Sequence, residues 1–241
     1  MQIVEEQFKL VLPKSHGRSE GLHVSEVIRD WALNSKILDK KWVSPLALEE
    51  QNTNMMQIGL AWEDYLAKYQ HPEIEFHPGE LWLDDDDFCT CSHERCTHSS
   101  RGVCAVNDCQ CEGFRPLRIF MSPDGVSVID PDDYADLFGV ADNFIHEFKF
   151  TAKSSRDFAR EFRMKAKKSR MWDMQIRAYC AALGTLAAKL HVMFVMGDYS
   201  RDDKNKESKA SYKVFRIRYT QDELDSNWEL IKQHARIMLC R

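Results

Sequence analysis

The chain has 241 residues, of which 44% are hydrophobic and 29% charged, with a formal net charge of −5; this describes an ordinary soluble protein able to bury a sizeable core. No apolar run approaches the length that spans a bilayer, and "MQIVEEQFKLVLPK" lacks the basic start and apolar centre of a signal peptide, so a cytoplasmic location is expected. Of eight cysteines, six lie between Cys89 and Cys111, a concentration that points to a metal rather than to disulfides.

In chain order, "HVSEVIRDWALNSKIL" (His23–Leu38) predicts a helix with Val24, Val27, Ile28, Trp31 and Leu38 on its apolar side and Ser25 as N-cap. "SPLALEEQNTNMMQIGLAWEDYLAKYQ" (Ser44–Gln70) has helical spacing after a Ser-Pro start and stops at His71-Pro72. "GELWLD" predicts a short strand, and the acids Asp84–Asp87 behind it read as solvated surface. After the cysteine segment, "PLRIFMSPDGVSVIDP" is two apolar runs around Ser-Pro-Asp-Gly, a hairpin signal.

"NFIHEFKFT" (Asn143–Thr151) follows as a strand, then a basic helical stretch from about Ser155 to Lys168. "MWDMQIRAYCAALGTLAAKL" predicts a helix ending near Leu190, "HVMFVMGDY" a buried strand and "SYKVFRIRYT" an alternating one. "QDELDSNWELIKQHARIML" predicts a terminal helix. With no internal repeat and no long linker, the expectation is one α/β domain over 1–241, carrying a metal-binding insertion at 84–116.

The strand Asn143–Thr151 poses the chemical question. Alternation puts Phe144, His146, Phe148 and Phe150 on one face and Ile145, Glu147, Lys149 and Thr151 on the other. Other acid-x-Lys triplets, ending at Lys41, Lys204 and Lys209, lie in polar stretches; only Glu147-Phe148-Lys149 sits inside an apolar strand. His146, on the opposite face, reads as a core residue, and His77 is a spare candidate. Asp124, in the turn before the strand, can approach Glu147. Two converging carboxylates repel unless protonated or bridged by a cation, and hard oxygen ligands suit Mg²⁺ or Mn²⁺.

Asp124, Glu147 and Lys149 resemble the signature of the PD-(D/E)XK nucleases. "GLAWE", with Gly59 and Glu63, and "QIRAY", with Gln175 and Tyr179, are similar to motifs of the RecB-like exonuclease branch, and all four pieces stand in that branch's order. The resemblance implies a restriction-endonuclease-like mixed sheet flanked by helices. It also implies that Glu63, Asp124, Glu147 and the Phe148 carbonyl bind Mg²⁺ or Mn²⁺. Lys149 would position water, and Gln175 and Tyr179 would contact DNA. Ser25 and Arg29 on the first helix would help hold a DNA end, and Lys153, Arg156 and the basic residues after them would track phosphates. The implied activity is DNA cleavage, most readily as an exonuclease in end processing or recombination. A bacteriophage-type enzyme of this kind would work in a bacterial cytoplasm beside a recombinase or single-strand annealing protein. The alternatives are a structure-specific endonuclease, or a non-catalytic DNA-binding or adaptor protein on the same fold.

The cysteine segment runs C-x-C-x4-C-x7-C-x4-C-x-C with His93 and His98 interleaved. Dense thiolates with imidazoles suit tetrahedral zinc. One ion on Cys91, His98, Cys104 and Cys109 or Cys111 is the expectation, with Cys89 as a further candidate; eight ligands would also serve two ions. An iron–sulfur cluster is the rival, known in CRISPR-associated RecB-like nucleases. There a group of cysteines follows the Gln-x-x-x-Tyr helix, whereas only Cys180 and Cys240 do here.

Overall fold

The computed structural model describes residues 21–37, 58–59, 61–71, 73–76, 78–91, 93, 104–106, 109, 114–128, 143–151, 158, 162, 167–195 and 210–240. The strands are β1 (Leu22–His23), β2 (Glu75–Phe76), β3 (Leu81–Cys89), β4 (Pro116–Met121), β5 (Gly125–Val128), β6 (Asn143–Thr151), β7 (Ala187–Phe194) and β8 (Ser211–Arg218). The helices are α1 (Val24–Asn34), α2 (61–69), α3 (Lys167–Leu183) and α4 (Gln221–Leu239). Among the described residues no helix is long and apolar enough to cross a membrane.

Among the described residues two mixed sheets form, β1-β4-β3 and β2-β5-β6-β7-β8. In the larger one only β6 and β7 run parallel, and α3 is part of the connection between them, as a parallel pair requires. The main core lies where α1, α3 and α4 meet β4 on one side and β6 and β7 on the other, with Ile28, Ile119, Ile145, Ile176, Leu190 and Ile231 all buried there. A smaller cluster on the opposite face of β6 joins Leu66 of α2 to Ile74 and Phe148. The expected mixed α/β architecture, with helices flanking a central mixed sheet and a Cys/His cluster, is the one observed.

Several local expectations are corrected. Ser25 lies inside α1; His23 is the N-cap, and its N–H donates to Glu26 (3.4 Å). The two runs around Ser-Pro-Asp-Gly are strands but not a hairpin. β4 pairs with β1 and β3, while β5 pairs with β2 and β6, so the turn carries the chain from one sheet to the other. The helix expected to reach Leu190 stops at Leu183. Gly184 adopts φ +71°, and the bonds Gly184 N–H to Ala181 O (3.3 Å) and Thr185 N–H to Cys180 O (3.0 Å) complete a Schellman cap. The apolar residues beyond it form β7, because helical spacing alone cannot mark where a glycine cap ends the helix. Leu38 and most of the basic stretch, including Lys153 and Arg156, lie outside the described residues.

The acids 84–87 are not uniformly solvated. They extend β3, and Asp85 is fully buried, held by Arg236 of α4 through Nε to Oδ2 and Nη2 to Oδ1, both 2.6 Å. Asp84 takes Arg118 across the strand pair (2.9 and 3.2 Å). Removing one partner of a buried bidentate ion pair strands the other. Asp85→Asn is therefore expected to cost about 3 kcal/mol, read as a lower urea midpoint with unchanged slope.

Candidate active site and metal centre

The backbone register of β5 and β6 builds the first site. The last paired residues are Gly125 and His146; one step further, Asp124 stands opposite Glu147, and Pro123 opposite Phe148. Proline has no N–H to give the Phe148 carbonyl. The Phe148 N–H, left without a strand partner, donates to Asp124 Oδ2 at 2.7 Å. The Pro-Asp turn thus ends the ladder and delivers a carboxylate to the Glu147 side of the strand.

Glu147 is completely buried, and Lys149 leaves 20% of its side chain exposed. Lys149 Nζ donates to Glu147 Oε1, while Glu147 Oε2 is buried without a hydrogen-bond partner. Burial, and then the Asp124 charge, push Glu147 up to about 8 against the pull of Lys149. Burial, Asp124 and the adjacent Asp64 likewise push Glu63 up to about 7, again against Lys149. Burial pulls the Lys149 ammonium down, but Glu147, Asp124 and Glu63 outweigh it, so its pKa lies above the ordinary lysine value. Ionised together, three carboxylates and one ammonium leave two uncompensated negative charges, the charge one divalent cation cancels. The Glu147 and Asp124 carboxyls lie within hydrogen-bonding reach of each other, and Glu63, on α2, is near enough to feel the charges of Asp124 and Lys149.

Gln175 and Tyr179 lie one turn apart on α3, and Gln175 Nε2 donates to the Tyr179 hydroxyl (2.5 Å). Tyr179 is 2% exposed in the main core, so only Gln175 offers surface. Arg29 is exposed and Ser25 half-buried on α1, which packs on α3, α4, β1 and β4; no described contact brings them to the carboxylates. His77 lies outside the described residues. His146 is buried on the far face of β6, bonded to Ser127 (2.7 Å) and His191 (2.9 Å). Sequence reasoning placed it in the core but missed its partners, which sit 19 and 45 residues away and leave no local pattern.

The second site lies between β3 and β4. Cys91, His93, Cys104 and Cys109 bring one ligand atom each within 4.8 Å of one another. His93 Nδ1 is 3.4 Å from Cys91 Sγ and 3.3 Å from Cys104 Sγ. Two thiols converging on one nitrogen match the edge of a tetrahedral zinc site, about 3.5 Å from ordinary Zn–S and Zn–N bond lengths. Of the expected ligands Cys91, Cys104 and Cys109 are in the described set. His93, not among those expected, joins them, while Cys89 is not in the set, its Sγ accepting from the Arg115 N–H (3.3 Å). His98 and Cys111 lie outside the described residues. The signal for His93 was its position two residues after Cys91, close enough for both to turn to one point.

No protein-family profile and no curated protein matches this chain. Among solved structures it is similar to SSO0001 (TM-score 0.45, 14% identity, covering 93% of this chain and 79% of that one). It is also similar to an alkaline exonuclease, LHK-Exo, from Laribacter hongkongensis (TM-score 0.35, 14% identity, covering 91% and 89%). At such values a likeness fixes neither a family nor an activity.

An acid whose pKa is raised on folding binds its proton more tightly in the folded chain. Its stabilising contribution is present below the ordinary carboxylate pKa and is lost as pH rises through the folded value, here from about 4.5 to about 8 for Glu147. In the absence of divalent cations the melting temperature should therefore fall between pH 5 and pH 8. Glu147→Gln should flatten that fall, as followed by circular dichroism.

Proposed function

We propose that this protein is a metal-dependent DNA nuclease. The observation that carries the reading is the buried Glu147 Oε2, without a partner, beside Asp124 and a charged Lys149. An unpartnered buried carboxylate oxygen costs several kcal/mol of lost hydration, and a cation with oxygen preference restores it. Asp124, Glu147 and Glu63, with the Phe148 carbonyl, would hold Mg²⁺ or Mn²⁺. Such an ion supplies Lewis acidity and a water acidic enough to attack a phosphodiester.

The chain's own residues do the rest. Lys149, kept protonated by the acids around it, is fixed by Glu147 with part of its side chain open. It can orient water and meet the charge that builds on the phosphoryl oxygens. Gln175, braced by Tyr179, would offer its amide to the DNA backbone, a role that rests on the family resemblance. Asp124 has a double duty, because its Oδ2 accepts the Phe148 N–H that aligns the strand carrying Glu147 and Lys149. Exonuclease action in recombination or end processing is the mode the family resemblance favours.

The Cys/His cluster is a structural zinc site in this reading. Its donor set, three thiolates with one imidazole, is soft enough to prefer zinc over Mg²⁺ or Mn²⁺, so the two metals would sort to different places.

Mn²⁺-dependent release of nucleotides from linear duplex and single-stranded DNA should be at least 100-fold slower in Lys149→Ala, with DNA binding retained. Equal rates in mutant and wild type, or a wild type inert on every substrate, would sink the nuclease reading. Elemental analysis should find one zinc and no iron per chain. His93→Ala should lose that zinc, while Cys89→Ser and His98→Ala keep it; zinc loss in His98→Ala with retention in His93→Ala would reverse the assignment.

A further inference from the structure

The face of the large sheet turned away from Glu147 carries a polar chain that the reaction does not use. Ser127 on β5, His146 on β6, His191 on β7, Tyr212 on β8, and His71 and Glu73 beyond α2 form consecutive hydrogen bonds. Their lengths are 2.7, 2.9, 2.5, 2.9 and 3.0 Å. Burial holds both inner imidazoles neutral, His146 down to about 3 and His191 down to about 2, and burial raises the Tyr212 phenol above its ordinary value.

A neutral imidazole has one donor and one acceptor, so the direction of the chain is set from its end. A carboxylate only accepts. His71 therefore donates from Nδ1 and accepts at Nε2 from the Tyr212 hydroxyl. Tyr212 in turn accepts from His191 Nδ1–H, His191 Nε2 from His146 Nδ1–H, and His146 Nε2 from Ser127 O–H. Every nitrogen of the buried pair is satisfied in this arrangement.

The outer end of the chain holds α2. The His71 and Gln70 N–H groups both donate to Leu66 O (3.0 and 3.1 Å), closing the last turn of the helix. Leu66 is fully buried against Ile74 and Phe148. Glu63 sits one turn earlier on α2. The end of the helix that presents Glu63 is thus fixed to the sheet at two points, the Leu66–Phe148 contact and the His71–Tyr212 hydrogen bond.

We infer that Tyr212 and His71 are positioning residues for Glu63, with the buried histidine chain as the frame that aims the Tyr212 hydroxyl at His71. The inference rests on the reading of Glu63 as a ligand of the divalent ion. Outer residues that orient metal ligands are worth roughly tenfold or more in metal affinity.

The test is Mn²⁺ binding, followed by electron paramagnetic resonance of the free ion, in wild type, Tyr212→Phe, Glu63→Gln and the double variant. Tyr212→Phe should weaken binding roughly tenfold in the wild-type background and have no further effect beside Glu63→Gln. His71→Gln, whose amide still accepts from the Tyr212 hydroxyl, should bind Mn²⁺ like wild type, while His71→Ala should match Tyr212→Phe. The two His71 variants keep the test open should Tyr212→Phe fail to fold, as checked by thermal melting. Equal weakening by Tyr212→Phe in both backgrounds, no weakening at all, or identical behaviour of the two His71 variants overturns the inference alone. A wild-type protein that binds no Mn²⁺ overturns the nuclease reading and this inference with it.

Discussion

The 2.7 Å hydrogen bond from the Phe148 N–H to Asp124 Oδ2 is the constraint on which the site depends. A strand interior normally spends each backbone N–H on its neighbour. Here the neighbouring strand stops two residues short of Phe148, Pro123 cannot continue the ladder, and a side chain takes the vacated bond. The consequence is geometric: a carboxylate is fixed next to Glu147 by the same interaction that keeps β6 in register. Sheet alignment and carboxylate placement cannot be separated, because one atom serves both.

β6 also shows how one strand carries two incompatible environments. Its Glu147 face meets the main core through Ile145 and, across β7, Leu190 and Val192. A fully buried acid among such neighbours is costly unless compensated. Lys149 compensates one oxygen and leaves the other. The His146 face solves its polarity differently, by hydrogen bonds that give each nitrogen of its two neutral imidazoles a partner. The contrast distinguishes the two faces: satisfied polarity reads as architecture, and unsatisfied polarity reads as a place for a ligand.

How much of this was legible follows from the range of the interactions. β6, β8 and α4 were readable because periodicity is local, and α4 also advertises its start through Thr220 and Glu223, which form a capping box. Asp124, Glu147 and Lys149 stood out because charges inside an apolar strand contradict the local pattern. The change from α3 to β7 was not readable, since the alanine-rich run after Gly184 suits a helix and only the parallel pairing with β6 turns it into a strand. Asp85 looked like its exposed neighbours because Arg236, its partner, lies 151 residues away. His93 was not singled out because two histidines stand among the cysteines, and spacing alone does not show which side chains converge; only the fold brings His93 to Cys91 and Cys104.

The cysteine cluster has a physical reason to exist beside this chemistry without taking part in it. β3 and β4 pair antiparallel, yet a loop of roughly 25 residues separates them, and closing such a loop costs about 3 kcal/mol in chain entropy. The loop returns through the bonds Thr90 N–H to Arg115 O (2.9 Å) and Cys89 N–H to His93 O (2.8 Å). Two backbone bonds contribute on the order of 2 kcal/mol net, which falls short of that cost before any ordering of the loop itself. Thiols are weak hydrogen-bonding groups, so four sulfur and nitrogen atoms gathered without an ion would add little, whereas a bound zinc ion contributes folding free energy outright. The end of β3 would then be held by the metal and its middle by Arg236 on Asp85. β4, fixed between β1 and β3, delivers the chain to Pro123 and Asp124, so a metal held at one end of the strand pair would steady the strand that leads to the carboxylate.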